Sequence, residues 1–241
     1  NGAGMATEIG YSVPKGGLDF WKERFEKFNI RYVDKEETFE EKELSFRDPD
    51  GLQLKLIETK HNDERKGWVT DEIKADVAIK GFHSVTLTLN DIKATAEILT
   101  DLFGYKQVNK DSNLYRYQTD SVNNAAIVDL LEIPEAQRGI NAGGTNHHVA
   151  FRVKDEVDLM KMREKIMAKG LQITEKIDRD YFFSLYFREP GGVLFEIATD
   201  NPGFATDETV ENLGTSLQLP TQHEPMRARI EKVLPNLKTE Q

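Results

Sequence analysis

Apolar and polar residues alternate along Met5–Val13, which predicts a β-strand near the start of the chain. The next stretch, Leu18–Phe28, has apolar residues every three or four positions, the spacing that places them on one face of a helix. Short apolar runs bounded by turn residues follow, and they predict further strands. These strands are Ile30–Val33, Leu44–Phe46 and Leu52–Ile57, of which the last two form a hairpin.

The same order of strand, helix and three strands occurs twice more. The second series is strand Phe82–Leu89, helix Asp91–Phe103 ending at Gly104, and strands Tyr105–Val108, Leu114–Gln118 and Ala126–Ile133. The third is strand His147–Val153, helix Glu156–Lys169 with apolar Val157, Met160, Ile166 and Met167, and strands Leu171–Thr174, Tyr181–Phe187 and Val193–Ala198. The helices begin near residues 18, 91 and 156, and such an internal repeat is strong evidence about the fold.

Each βαβββ unit makes a sheet covered by a helix on one face, so two units must pair to close a core. The sequence therefore predicts an α+β fold of tandem βαβββ modules that pair into open, barrel-like curved sheets with the helices outside. The predicted parts are a module at 1–58 that binds no metal, a linker at 59–80, a module at 81–143, a metal-binding module at 144–204, and a tail at 205–241 with a short helix at Glu224–Leu234. Because three modules leave one unpaired, a first module is expected to be absent or incomplete before Asn1, unless the chain pairs as a homo-oligomer.

Composition narrows the functional classes. Hydrophobic residues make up 38% of the chain and charged residues 31%, as in ordinary soluble proteins. The formal net charge of −10 argues against nucleic acid or an anionic membrane as a partner, and no apolar run is long enough to span a bilayer. The chain has no cysteine, which excludes disulfide and thiolate chemistry and makes the cytoplasm the expected location. The acidic run Asp34–Glu43 is interpreted as a solvated loop or strand edge.

Candidate chemistry concentrates in the third module. His147 and His148 begin its first predicted strand, and Glu196 lies among phenylalanine and isoleucine in its last. A buried carboxylate is costly unless a positive group pairs with it. Histidines and a carboxylate that converge on one sheet face are typical ligands of a divalent metal.

The turn between the last two strands suggests their register. If the hairpin is centred on Gly191, then Tyr186 lies opposite Glu196, and the two side chains share a face about 5 Å apart. A slip of one residue would turn Glu196 to the other face.

The other modules serve as internal controls. Aligned on their turns, the first module has Lys55 at the position of Glu196, Ser45 at that of Tyr186, and Ala6–Glu8 at that of the two histidines. The middle module has His83 near its strand start and Asp129 near the carboxylate position. Since a metal site needs at least three protein ligands as a rule, the third ligand is either His83 or a residue of the missing module. His147 should face away from His148 unless the strand is bulged, in a packing or supporting role.

Three motifs then resemble a known family. They are Gly81-Phe82-His83-Ser84, Asn146-His147-His148-Val149-Ala150-Phe151, and the long stretch from Tyr181 to Asp200 that includes Arg188, Pro190-Gly191-Gly192 and Phe195-Glu196-Ile197-Ala198-Thr199-Asp200. The chain resembles the vicinal oxygen chelate (glyoxalase/bleomycin resistance/dioxygenase) superfamily, and within it the ring-cleaving hydroquinone dioxygenases.

That resemblance implies Fe(II), or another divalent metal, and cleavage of an aromatic diol by O₂. It assigns metal binding to His148 and Glu196, proton and charge handling to Tyr186 and Arg179, and a place beside the ligand to His147. In the hydroquinone branch the third ligand belongs to the first module, whereas in the catechol enzymes it lies at a position like His83. Without the resemblance, Tyr186 would be interpreted as a half-buried strand residue and Arg179 as part of a surface ion pair with Asp178 or Asp180.

Two other classes remain open at this point. One is a lyase or isomerase of the same superfamily that uses Zn, Ni or Mn and works without oxygen. The other is a metal-free resistance protein that sequesters a small molecule, although such a pocket has no need of a buried carboxylate.

Overall fold

The computed structural model describes residues 2–235, apart from the side chain of Glu36. The helices are α1 (Leu18–Lys27), α2 (Lys93–Phe103), α3 (Glu156–Ala168) and α4 (Arg227–Val233). The strands are β1 (Met5–Val13), β2 (Tyr32–Thr38), β3 (Glu41–Arg47), β4 (Gln53–Glu58), β5 (Gly81–Leu89), β6 (Lys106–Asp111), β7 (Leu114–Gln118), β8 (Ile127–Glu132), β9 (Val149–Val153), β10 (Ile177–Asp178), β11 (Phe182–Arg188) and β12 (Leu194–Pro202).

The predicted repeat is present in the sheets. The larger sheet has the order β2-β3-β4-β1-β5-β8-β7-β6, and the smaller has β10-β11-β12-β9. Each copy therefore places its first strand beside its last, and in the first two copies that pairing is parallel. The first two copies join through the antiparallel pair β1–β5. These mixed sheets with their helices confirm the predicted α+β class.

Contacts divide the chain into two compact units. The first extends to Val149 and includes Arg188–Leu194, whereas the second comprises Ala150–Phe187 and the chain from Phe195 onward. The module boundaries drawn from the sequence stay predictions. The 59–80 segment, which the sequence predicts to be a linker, contains neither helix nor strand.

Local sequence explains the ends of two helices. The Asp155 carboxylate accepts hydrogen bonds from the backbone N–H groups of Val157 and Asp158 at 3.0 and 3.1 Å, and this caps the start of α3. At the end of α2, Gly104 adopts φ 70°, a left-handed conformation that glycine takes without strain. The predicted end of that helix is thus confirmed.

One expectation about the elements is wrong and another holds only in part. The acidic run lies in the β2–β3 hairpin, and β2 is the edge strand of the larger sheet, as the strand-edge alternative predicted; the run is not solvated throughout, since Glu41 and Glu43 are 3% and 2% exposed. Leu171–Thr174 forms only one isolated bridge, from Ile173 to Phe187. The buried residues of α3 are Leu159 and Ile166, whereas Val157, Met160 and Met167 are exposed. α3 is weakly amphipathic, so its apolar residues do not all lie on the buried face.

In the described part of the chain, no helix is both long and apolar enough to cross a bilayer. The cytoplasmic location stays a prediction.

Candidate active site

The hairpin β11–β12 brings a phenol and a carboxylate together. Tyr186 Oη donates a hydrogen bond to Glu196 Oε1 at 2.7 Å, and Glu196 is 3% exposed. The two side chains therefore share a face of the sheet, as the turn-centred register predicted. A buried carboxylate with a phenol beside it has both a proton donor and an acceptor within reach of any group bound there.

Arg179 approaches the same phenol. It lies just after β10, where Asp180 at φ 64° turns the chain back toward β11. Arg179 Nη2 is 3.5 Å from Tyr186 Oη, and the guanidinium carbon is 5.6 Å from the centre of the tyrosine ring. Burial and the hydrogen bond to Glu196 raise the pKa of the Tyr186 phenol, and Arg179 offsets only part of this rise. The phenol thus keeps its proton at neutral pH.

The two histidines differ from expectation. β9 begins at Val149, so His147 and His148 precede the strand and do not alternate across it. Their Nδ1 atoms are 3.0 Å apart, and their rings meet edge to face with centroids separated by 5.3 Å. The prediction that His147 faces away from His148 is therefore wrong. One Nδ1 must donate to the other, which fixes the tautomers relative to each other.

The strand that follows the histidines lies beside the strand that carries Glu196, because β9 and β12 are neighbours in the smaller sheet. The rings of Phe151 and Phe195 pack with centroids 4.9 Å apart. Further along, Arg152 and Asp200 form an ion pair with N–O distances of 3.0 and 2.9 Å.

His83 is a hydrogen-bonded core residue of the first unit. It is 7% exposed, its Nε2 is 3.3 Å from Glu41 Oε1, and its Nδ1 is 3.1 Å from Ser84 Oγ. Both ring nitrogens are thus engaged within this unit. Over residues 2–235, no group of three or more His, Cys, Asp or Glu side chains is placed to hold one metal ion.

The first copy has a basic residue at the position of Glu196. Ser45 and Lys55 are cross-strand partners, as the alignment of the turns predicted. Lys55 is 2% exposed, and its ammonium lies 2.9 Å from Glu8 and 3.6 Å from Glu43. A cation of the protein itself thus occupies the position at which the last copy has Glu196.

In the middle copy, the cross-strand pair is Arg116 and Asp129. Arg116 Nε and Nη2 donate to the two oxygens of Asp129 at 2.8 and 2.9 Å, and Nη1 donates to Glu41 at 2.6 Å. Asp129 is fully buried, so it needs this pairing. The equivalent pairs in the three copies are therefore Ser45–Lys55, Arg116–Asp129 and Tyr186–Glu196, and only the last combines a carboxylate with a neutral hydroxyl.

The buried Glu41 predicts how stability depends on pH. Burial alone would raise the pKa of this carboxyl, but His83 and Arg116 outweigh it and lower the pKa to about 2. A depressed pKa in the folded state contributes stability above about pH 4.5, and the contribution is lost as the pH falls toward 2. We expect acid unfolding in that window, at a cost of a few kcal/mol, and a flatter pH profile for Glu41→Gln. Urea titrations at pH 6, 4 and 3 measure this difference. The same pH dependence of stability in the parent protein and in Glu41→Gln would contradict this assignment.

Sequence reasoning missed one buried acid near the candidate site. Glu189 lies in the turn between β11 and β12 and is 2% exposed. Asp48 occupies the same place in the first copy. The alignment that paired Lys55 with Glu196 therefore shows an acid at this turn position in both copies, and this could have marked Glu189 as a residue of interest.

Comparison with known proteins identifies the family. A sequence model described as the Glyoxalase/Bleomycin resistance protein/Dioxygenase superfamily matches residues 81–197. A Bacillus subtilis (strain 168) protein named as the ring-cleaving dioxygenase MhqO is 42% identical over 97% of this chain and 73% of its own length. The chain belongs to the glyoxalase/bleomycin resistance/dioxygenase superfamily.

Two further superfamily relatives bear on activity and fold. The chlorohydroquinone/hydroquinone 1,2-dioxygenase of Sphingobium indicum is 33% identical over 94% of this chain and 71% of its own length. A crystal structure described as a dioxygenase from Bacillus subtilis matches with a TM-score of 0.90 and 41% identity, over 98% of this chain and 75% of that one.

Proposed function

We propose that this protein is a ring-cleaving dioxygenase that acts on hydroquinone-type aromatic diols, with ring opening of the extradiol type. Relatives named as ring-cleaving and hydroquinone dioxygenases support the reaction class. The buried Glu196, hydrogen-bonded to Tyr186 at 2.7 Å, supports a site that handles charge and protons. O₂ and a small aromatic diol are the proposed substrates.

We assign His148 and Glu196 as ligands of a divalent metal, with Fe(II) as the proposed ion. The observation that supports this assignment comes from the first copy, where Lys55 stands at the repeat position of Glu196 and Glu8 belongs to the stretch Ala6–Glu8 that aligns with the two histidines. Those two side chains meet at 2.9 Å. An imidazole and a carboxylate at these two positions would form a donor set that suits Fe(II).

When bound, Fe(II) would lower the pKa of a diol hydroxyl and let electron density pass to O₂. The residues of the chain have separate tasks. Tyr186 Oη holds a proton beside Glu196 and can give it to, or accept it from, an oxygen of the substrate. Arg179 stabilises negative charge near that phenol. His147 orients the His148 ring through the contact between their Nδ1 atoms.

The source of a third ligand stays a prediction. Both ring nitrogens of His83 contact Glu41 and Ser84 in the first unit, which makes His83 a poor donor to a metal held by His148 and Glu196. A ligand from a further module remains the proposal that the sequence suggested.

The phenol of Tyr186 provides a direct mutational test. Removing the hydroxyl in Tyr186→Phe should lower kcat by roughly 10²–10⁴-fold at saturating metal, since that is the usual contribution of a general acid–base group. Tyr115→Phe, which alters a partly buried tyrosine of β7, is the matched control and should leave kcat unchanged. Turnover of Tyr186→Phe equal to that of the parent protein would remove the acid–base role.

The activity itself is tested by oxygen uptake. The protein is loaded anaerobically with Fe(II) and then mixed with a panel of hydroquinones and catechols in oxygenated buffer. We expect stoichiometric O₂ consumption and loss of the aromatic absorbance with hydroquinones. Turnover of a panel member without any O₂ uptake would instead favour a lyase or isomerase.

A further inference from the structure

The turn between β11 and β12, beside the candidate site, has a counterpart between β3 and β4 in the first copy, which we call the twin turn. In both turns a buried or half-buried acid accepts a hydrogen bond from a backbone N–H four residues later: Leu52 N to Asp48 Oδ1, and Val193 N to Glu189 Oε1, each at 2.8 Å. An arginine before each acid donates to the glycine carbonyl of its turn, at 3.0 Å for Arg47 and 2.9 Å for Arg188. The two turns thus share one architecture.

The turn next to Glu196 packs against helix α2. Thr95 of α2 is fully buried, and its Oγ1 donates to Glu189 Oε2 at 2.6 Å. The same carboxylate oxygen accepts the Gly191 N–H at 2.9 Å. In the first copy, Asp50 at the position of Gly191 is exposed.

Close packing around the turn explains why residue 191 is a glycine. A Cβ at Gly191 would lie 2.5 Å from both the Leu89 side chain and Thr95 Oγ1, closer than real carbon atoms approach. Glutamate is also one methylene longer than the Asp48 of the first copy, and this length brings its second oxygen to Thr95. The turn of the last copy therefore carries a contact that the exposed turn lacks.

We propose that Glu189, held by Thr95, is a positioning residue that fixes the register of β11 against β12 and so aligns Tyr186 with Glu196. The carboxylate binds two backbone N–H groups of the turn that connects these strands, and Thr95 holds the carboxylate in place. Tyr186 and Glu196 flank that turn, so a slip of one residue would move one of them to the other face. The catalytic consequence of this alignment rests on the proposed function, whereas the alignment itself does not.

Two variants remove the contact between Thr95 and Glu189 in different ways. Thr95→Val deletes the hydroxyl with little change of shape, and Glu189→Asp copies the shorter acid of the first copy, which keeps the bond to Val193. Thr95→Ser is the conservative rescue, and Asp48→Asn disturbs the twin turn as the matched control. Two variants with independent packing effects keep the proposal testable if one of them fails to fold.

Three readouts are compared: amide hydrogen exchange at Gly191 and Val193, the NMR shift of the Tyr186 ring carbon that bears the hydroxyl, and the affinity for Mn²⁺ as the metal probe. Thr95→Val and Glu189→Asp should speed exchange about tenfold, shift the Tyr186 signal, and weaken Mn²⁺ binding by about 10–100-fold, as loss of a supporting partner of a ligand typically does. Thr95→Ser should restore all three, and Asp48→Asn should change none.

Unchanged exchange and an unchanged Tyr186 signal in both variants would overturn the positioning role. If the Tyr186 signal changes in the variants but the parent protein consumes no O₂, the alignment is supported and the proposed function is refuted. A fall in thermal stability alone, with the Tyr186 signal and Mn²⁺ affinity of the parent protein, would show that the contact is only structural and would overturn the proposal.

Discussion

Replacing Glu196 with glutamine should weaken metal binding by more than the roughly 10–100-fold that follows loss of a partner behind a ligand, because it removes a proposed ligand itself. An amide oxygen carries no net charge and binds Fe(II) poorly compared with a carboxylate. Oxygen uptake should fall in proportion to metal occupancy. Titration with Mn²⁺ followed by electron paramagnetic resonance measures the affinity directly.

The matched control for this variant is Glu164→Gln, which alters an exposed carboxylate of α3. It should bind metal as the parent protein does. The Tyr186 hydroxyl should still be able to donate to the amide oxygen of Glu196→Gln, so the hairpin should remain folded. Parent-like metal affinity in Glu196→Gln would remove this residue from the site.

Lys55→Met should destabilise the first unit by roughly 3–5 kcal/mol, which is the usual result of removing one partner from a buried ion pair. Lys55 is 2% exposed, and its ammonium faces Glu8 and Glu43. Burial tends to lower the pKa of Lys55, but the carboxylates of Glu8, Glu43 and Asp129 outweigh burial and raise it. The lysine is therefore charged at neutral pH, and its loss removes the cation beside Glu8 and one of the two cations beside the buried Glu43. Urea unfolding at pH 7 measures the difference.

Lys42→Met is the control for Lys55→Met, since Lys42 lies exposed on β3 and its replacement should change stability by no more than about 0.5 kcal/mol. Adding Glu8→Gln to Lys55→Met should recover part of the loss, because one unpaired charge disappears. Equal stability of Lys55→Met and the parent protein would show that the neighbouring acids are neutral or hydrated.

Much of the fold, and the pairing of Tyr186 with Glu196, can be predicted from the sequence because both depend on periodicity and turns. The repeat fixed the order of elements, and the turn centred on Gly191 placed Tyr186 opposite Glu196, as their 2.7 Å hydrogen bond confirms. The alignment of Ser45 with Lys55 came from the same turn geometry and matches the observed strand pairing. Both inferences use contacts close in sequence, which a two-residue side-chain period constrains strongly.

Two of the misses involve contacts distant in sequence, and the third concerns where a strand begins. Glu41 looked solvated within an acidic run, yet Arg116, 75 residues later, pairs with it in the interior. Thr95 and Glu189 are 94 residues apart, and the sequence near either residue does not predict their hydrogen bond. His147 and His148 were assigned alternating faces because the strand was expected to begin two residues too early.

The most direct test of the account is a crystal structure of the protein after anaerobic loading with Fe(II), with anomalous diffraction recorded at the iron edge. We predict one strong peak bonded to a ring nitrogen of His148 and a carboxylate oxygen of Glu196, at about the 2.0–2.2 Å typical of such ligands on a divalent metal. An iron peak bound elsewhere, with His148 and Glu196 outside its coordination sphere, would contradict the account.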